Sequence, residues 1–212
     1  MLEHAVFDRD CRACKRLAAF LDAVRERHPD YYCRPVPPFG DPRARLVIVG
    51  LAPGMHGANR TGRPFTGDYA GILLYRTLHR FGFASAPESG AADDDLRLID
   101  CRITNAVKCL PPDNKPVGAE VSLCNTYLAN ELRTVPPNGI VLALGGIAHR
   151  AVLKAAGCRQ AAFPFAHGAL HDLGDFRLLD SYHCSRYNTN TGRLTEAMFT
   201  DVFAAARRLL DQ

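Results

Sequence analysis

The chain has 212 residues, with 47% hydrophobic and 23% charged side chains and a formal net charge of +4. That length suits a single core and that composition a soluble globular protein, and no apolar run approaches the length of a membrane span. The N-terminal stretch MLEHAVFDRD carries acids where a signal peptide has a basic start and an apolar run, so a cytoplasmic protein with reduced thiols is expected.

Residues 11–27 repeat Cys14, Leu17, Leu21 and Val24 at the period of an amphipathic helix. The run RLVIVG at 45–50 reads as a buried strand that empties into GLAPGMHGANRTGRPFTGD at 50–68. A strand ending in so glycine-rich and basic a turn meets something flat or anionic, because glycines admit close approach to the backbone. The spacing matches neither G-x-G-x-x-G nor the P-loop pattern, which excludes the ordinary nucleotide cradles. A helix is expected at about 69–81, then an exposed, mobile connection at 84–95.

A second strand, RITNAV at 102–107, feeds VKCLPPDNKP, and the helical repeat Val117, Val121, Cys124, Leu128 and Leu132 follows over 117–132. Then come a strand at 139–144, a helix at 146–156, and a strand at 176–181 that feeds YHCSRYNTNTGR. The last helix, 194–209, repeats Leu194, Met198, Val202, Ala205 and Leu209. Four strands alternating with helices predict an α/β domain spanning 1–212, its sheet mostly parallel and covered on both faces. Ligands of such sheets sit beyond the carboxyl ends of the strands. The loops after 45–50, 102–107 and 176–181 are therefore the functional ones.

Those same loops concentrate the charge. Residues 51–67 hold Arg60 and Arg63, residues 105–117 hold Lys108 and Lys115 against Asp113, and residues 181–193 hold Arg186 and Arg193. Together they carry +5, leaving −1 for the rest of the chain. Brought together, they make an anion-seeking surface on a nearly neutral body.

Eight cysteines in a reduced compartment point to a metal or to catalysis rather than to disulfides. Cys11 and Cys14 form C-x2-C at the start of a helix, where two thiolates reach one centre. Cys109, leaving a strand, and Cys124, on the apolar stripe of the next helix, best complete the set. Four thiolates suit zinc or an iron-sulfur cluster. Cys33, Cys101, Cys158 and Cys184 read as small buried hydrophobes.

GLAPGMHGANRTGRPFTGD, TNAVKCLPPDNKP and SYHCSRYNTNTGRLT, with the C-x2-C near the start, together resemble the family 5 uracil-DNA glycosylases over about residues 11–199. Ala52 separates the chain from the similar family 4 enzymes, which have glutamate there. The resemblance implies a three-layer α/β/α sandwich around a mostly parallel four-stranded sheet. It also implies a structural [4Fe-4S] cluster on Cys11, Cys14, Cys109 and Cys124, and removal of uracil and other deaminated bases such as hypoxanthine from DNA. One departure is Cys184, where family members commonly have proline.

Cleaving a base from deoxyribose develops positive charge on the sugar and negative charge on the base, and the base must first leave the stack. Phe65 is the expected stacking platform. Asn105 offers one donor and one acceptor to the base edge, as uracil N3–H and O4 require. The family's catalytic histidine maps to His183, which donates to uracil O2 as charge develops. Asp68 is expected to orient water or steady the sugar cation, and it also suits the N-cap of the following helix. Gly54 stands where family 1 enzymes have a tyrosine that excludes thymine, so a permissive pocket is expected. Arg60, Arg63, Arg186 and Arg193 are expected on phosphates, and Tyr187 as a wedge in the minor groove. The expected partner is damaged DNA, bound by a monomer. The alternatives are a non-catalytic iron-sulfur module that binds damaged DNA through the same fold, and a zinc-bearing nucleotide hydrolase.

Overall fold

The computed structural model describes residues 7–212; the first six residues, on which the reading of the N-terminus partly rests, lie outside it. Helix α1 (Lys15–Arg27) leads into a short strand β1 (Phe39–Gly40) and the central strand β2 (Leu46–Gly50). The glycine-rich segment contains one turn of helix, α2 (Ala58–Thr61), before α3 (Tyr69–Arg80). There follow β3 (Cys101–Asn105), α4 (Gly118–Leu132), β4 (Ile140–Leu144) and α5 (Gly146–Ala155). The chain closes with β5 (Leu170–Asp172), β6 (Arg177–Ser181), α6 (Arg186–Asn190) and α7 (Glu196–Leu210).

Among the described residues the sheet has six strands, in the order β1-β3-β2-β4-β6-β5. Its four central strands are parallel, and β1 and β5 pair antiparallel at the two edges. The four-stranded expectation is thus corrected by two edge strands of two and three residues, too short for an alternating pattern to reveal.

Every residue of β2 and β4 is buried, as strands covered on both faces must be. Because side chains alternate across the pleat, Leu46 and Ile48 join α3 and α7 in one core, and Val47 and Val49 join α4 and α5 in the other. Each such aliphatic side chain removed from water stabilises the fold by about 1.5–3 kcal/mol. Helix α1 forms a third, smaller cluster with Val107, Cys109 and Leu110.

The stripe expected along the last helix is turned by one residue. Phe199, Val202, Phe203, Ala206 and Leu210 are its buried positions, with two phenylalanines supplying the area that Met198 and Leu209 were expected to supply. The C-x2-C precedes α1 instead of lying on it, with Cys14 in extended backbone at the N-cap. The connection at 84–95 is tied down: Ser89 Oγ lies 2.6 Å from Thr66 Oγ1, and Asp94 pairs with Arg63 at 2.5 Å. No helix among the described residues is long and apolar enough to cross a membrane.

Candidate functional site

Gly50 and Asn105 pair across the carboxyl ends of β2 and β3, and His183 lies two residues beyond the end of β6. A cavity of about 320 Å³ opens there, within the range of about 300–1,000 Å³ usual for ligand sites. Ala52, Gly54, Phe65, Asp68, Asn105 and His183 all line it. Five of these six are the residues on which base recognition and catalysis were placed from sequence.

Glycines make this convergence possible. A Cβ built on Gly50 would lie 2.4 Å from Asn105 Oδ1 and 2.7 Å from Phe65 Cζ, so any side chain there would displace both. A Cβ on Gly57 would lie 2.6 Å from Asp68 Oδ2. At Gly54 the nearest atom is Asp68 Oδ2 at 3.6 Å, which leaves the cavity open beside the carboxylate.

Asp68 divides its two oxygens between the two expected roles. Oδ1 accepts the Gly71 N–H at 2.8 Å and caps α3, while Oδ2 faces Gly54 and Gly57 across the cavity wall. Burial raises the carboxyl pKa, and the backbone N–H groups of Gly71 and Ala70 oppose it.

Phe65 holds a left-handed backbone, φ 55°, which is strained for an aromatic residue and is characteristic of functional loops. Its ring is nearly parallel to that of His183, with centroids 5.9 Å apart. Burial pushes the His183 pKa down to about 4, so its imidazole is neutral at physiological pH. The His183 backbone carbonyl accepts from the Asn188 side chain at 2.8 Å, which ties it to α6.

The charged surface is smaller than expected. Arg60, Lys115, Arg186 and Arg193 are exposed. Arg186 lies 4.9 Å over the Tyr69 ring and Arg193 4.7 Å over the Tyr182 ring, and Tyr187 is 72% exposed on α6. Arg63 is a correction: it is 4% exposed, its guanidinium bonded to Asp94, Thr66 and the Ala91 carbonyl and set 4.7 Å over Phe39. A buried guanidinium needs its donors satisfied within the protein, so Arg63 anchors the loop instead of meeting phosphate. Lys108 is likewise buried, 2.8 Å from Glu131.

Cys11, Cys14, Cys109 and Cys124 line one cavity of about 140 Å³, with Leu17, Pro35 and Tyr127 around them. No disulfide joins any of the eight cysteines. Burial raises Cys14 to about 11 and Cys109 to about 12, and nearby thiols of the quartet add to both shifts. The Lys108 N–H donates to Cys124 Sγ at 3.3 Å. Among the described residues one group of potential ligands has its donor atoms within 4.8 Å of one another, and it is not this quartet. Four thiolates on one zinc ion at about 2.3 Å would stand about 3.8 Å apart, whereas a four-iron cluster accepts wider spacing. Cys33, Cys101 and Cys184 are fully buried, and Cys158 is half-buried.

The family model of the uracil DNA glycosylase superfamily matches residues 37–207. The chain belongs to that superfamily. A type-5 uracil-DNA glycosylase of Thermus thermophilus is 50% identical to it, over 94% of this chain and 93% of its own length. One of Pyrobaculum aerophilum is 43% identical over 93% of this chain and 88% of its own. The crystal structure of SMUG2 from Pedobacter heparinus overlays 80% of this chain and 76% of that one with a TM-score of 0.50 at 14% identity, a likeness of fold alone.

Within this superfamily member, sequence reasoning missed Asn114 and Ser185, which also line the large cavity. Asp113 and Asn114 both have left-handed backbone, φ 53° and 55°. The run P-P-D-N-K-P signals such a turn, since Asp and Asn tolerate that conformation, but only the fold brings it to the cavity. Ser185 serves as the N-cap of α6, accepting from the Asn188 N–H at 3.4 Å.

Proposed function

We propose that this chain is a monofunctional DNA glycosylase that hydrolyses the bond between uracil and deoxyribose in DNA, initiating base excision repair. It also accepts larger deaminated bases such as hypoxanthine. The observation that carries this reading is the convergence of Gly54, Phe65, Asp68, Asn105 and His183 on one cavity beyond the strand ends, in a chain so similar to type-5 uracil-DNA glycosylases.

The reaction breaks the bond from C1′ to the base nitrogen, with the electron pair leaving on the base, and adds water at C1′. The flipped base stacks on Phe65, a contact of about 1–3 kcal/mol that offsets the cost of unstacking. The Asn105 carboxamide reads the base edge. Neutral His183 donates its N–H to O2 as negative charge grows there, a bond stronger in the transition state than before it. The Asp68 carboxylate orients the water, takes its proton and steadies the sugar cation. Arg60, Arg186 and Arg193 grip phosphates, and Tyr187 enters the gap left by the base.

Cys11, Cys14, Cys109 and Cys124 would hold a [4Fe-4S] cluster, which ties the N-terminal turn to α4 and the loop after β3 and supplies structure to a hydrolysis that needs no electron. Incubation with a duplex carrying one uracil opposite guanine tests the activity. Free uracil with an alkali-labile site supports it, and tight binding without release would favour a non-catalytic damage-binding module. Iron and acid-labile sulfide at about four each per chain support the cluster; stoichiometric zinc on these cysteines would defeat it.

A further inference from the structure

Beneath the strand that delivers His183 lies a buried polar group that the reaction does not touch. His149 of α5 is 2% exposed and Asp180 of β6 is fully buried. His149 Nδ1 lies 2.8 Å from Asp180 Oδ1, and its Nε2 lies 2.9 Å from the Phe163 carbonyl oxygen. His171 Nε2, from β5, lies 3.3 Å from the second carboxylate oxygen. A neutral imidazole has one N–H and one lone pair, so a ring facing two oxygen acceptors is one proton short. The pair must therefore hold that proton, as imidazolium with carboxylate or as neutral imidazole with carboxylic acid. Burial favours the protonated carboxyl of Asp180, and the hydrogen bonds and charge of His149 and His171 oppose it.

A cation bound to these three side chains would meet the same need, since their donor atoms lie within 4.8 Å of one another. Two ligands held at about 2.0–2.1 Å by a tetrahedral ion, however, stand about 3.3 Å apart. The 2.8 Å separation of His149 and Asp180 is a hydrogen bond.

This group fastens both ends of a path to His183. Phe163 opens an arm, 163–171, whose Ala169 carbonyl accepts from the Asp180 N–H at 2.9 Å, while its Gly168 N–H donates to the Asp180 carbonyl at 2.8 Å. On the same arm His167 Nδ1 accepts the Tyr182 N–H at 3.1 Å, and its ring stacks on Tyr182 with centroids 5.0 Å apart. Burial lowers the His167 pKa, which favours the neutral ring that this bond needs. From the other side, the His149 backbone N–H donates to the Gly145 carbonyl at 3.0 Å. The Gly145 N–H donates in turn to the Ser181 carbonyl at 2.8 Å, and a Cβ on Gly145 would lie 3.5 Å from His183 Cβ.

We propose that His149, Asp180 and His171 form a proton-holding clasp that, through the 163–171 arm and His167, positions His183 over the base cavity. These are positioning residues, and the proposal rests on the glycosylase reading.

Asparagine at position 180 separates the proton from the bonding. Its carboxamide donates to Nδ1 of a neutral His149 and accepts from His171, so every bond is restored without the extra proton. Uracil release under single-turnover conditions should slow by about tenfold or more in Asp180→Ala, with duplex affinity within about twofold, and stay within about threefold of the wild type in Asp180→Asn. His167→Leu, which removes the acceptor for Tyr182, should slow release in the same way, and His167→Asn, which keeps one, should not. Proton NMR should show, besides the His149 Nε2–H, a strongly downfield signal in the wild type from the proton held between His149 Nδ1 and Asp180 Oδ1, whichever atom carries it, and no such signal in Asp180→Asn. The His183 ring signals should move in His167→Leu and not in His167→Asn, a readout independent of turnover. Folded Asp180→Ala and His167→Leu proteins with unchanged rates and unmoved His183 signals would overturn the positioning role, and should Asp180→Ala not fold, the His167 pair decides it. Absence of that downfield signal in the wild type, or stoichiometric zinc on these side chains, would overturn the proton. A wild type that keeps both NMR signatures yet releases no uracil would sink the glycosylase reading alone.

Discussion

Alanine at position 50 would set its Cβ 2.4 Å from Asn105 Oδ1 and 2.7 Å from Phe65 Cζ, where ordinary contact begins at 3.4 Å. Asn105 must then retreat by about 1 Å, the difference between the contact formed and the contact allowed, and Phe65 by somewhat less. Overpacking of this kind costs about 1–3 kcal/mol, and a domain of this size loses about 2–4 °C of Tm for each. The protein stays folded, because stabilities of about 5–15 kcal/mol absorb that loss. Activity falls further. A misplacement of about 1 Å in a group that reads the substrate lowers the rate by about 10²-fold, or about 2.7 kcal/mol of transition-state stabilisation. Single-turnover release of uracil from a duplex measures this, with Gly90→Ala as control, since nothing lies within 4 Å of a Cβ there. Folded Gly50→Ala enzyme working within about twofold of the wild type would refute the claim that Gly50 exists to admit Asn105 and Phe65 to the cavity.

In Gly54→Tyr the new Cβ meets only Asp68 Oδ2, at 3.6 Å, so the backbone tolerates it while the ring fills the cavity. Hypoxanthine release should fall at least about tenfold more than uracil release, and an equal loss would contradict a pocket opened by Gly54. Arg186→Ala or Arg193→Ala should each lower the slope of log affinity against log salt by about 0.9 without changing Tm. Arg63→Ala, which empties a buried ion pair, should lower Tm and leave that slope alone, and the reverse pattern would return Arg63 to the DNA surface. His183 is held near 4 in the folded protein against 6.5 in the unfolded chain. Its contribution to stability is therefore full above about pH 6.5 and is lost as pH drops towards 4, because the unfolded chain takes up the proton first. Thermal denaturation of His183→Gln should show a shallower acid slope across that window, and parallel curves would contradict a ring held neutral in the fold.

The parallel core of the sheet and the loops that carry the site were legible because they rest on local signals. LVIVG is apolar throughout, and the residues after it cannot extend a strand or a long helix, so both the strand and its function-bearing loop declare themselves. Gly54, Phe65, Asp68, Asn105 and His183 follow from the rule that ligands gather at the carboxyl ends of parallel strands, together with motif resemblance. What depends on tertiary packing stayed hidden. Arg63 and Lys108 looked like surface cations because sequence does not show Asp94 and Glu131 waiting inside. The edge strands β1 and β5 are defined by their partners instead of by any pattern of their own. His149, Asp180 and His171, spread over 31 residues by their widest hydrogen bond, gave no sequence signal at all.

The measurement that tests the central claim most directly is uracil release from a duplex with one uracil opposite guanine, comparing the wild type with Asp68→Asn. Asparagine keeps the oxygen that accepts the Gly71 N–H and removes the charge from the cavity wall. The account predicts free uracil from the wild type and release slowed by about 10²-fold or more in a folded mutant, the usual contribution of a positioned acid-base group. Equal rates would contradict a catalytic Asp68 and leave it a helix cap, and a wild type that binds the duplex but releases no base would contradict the proposed function itself.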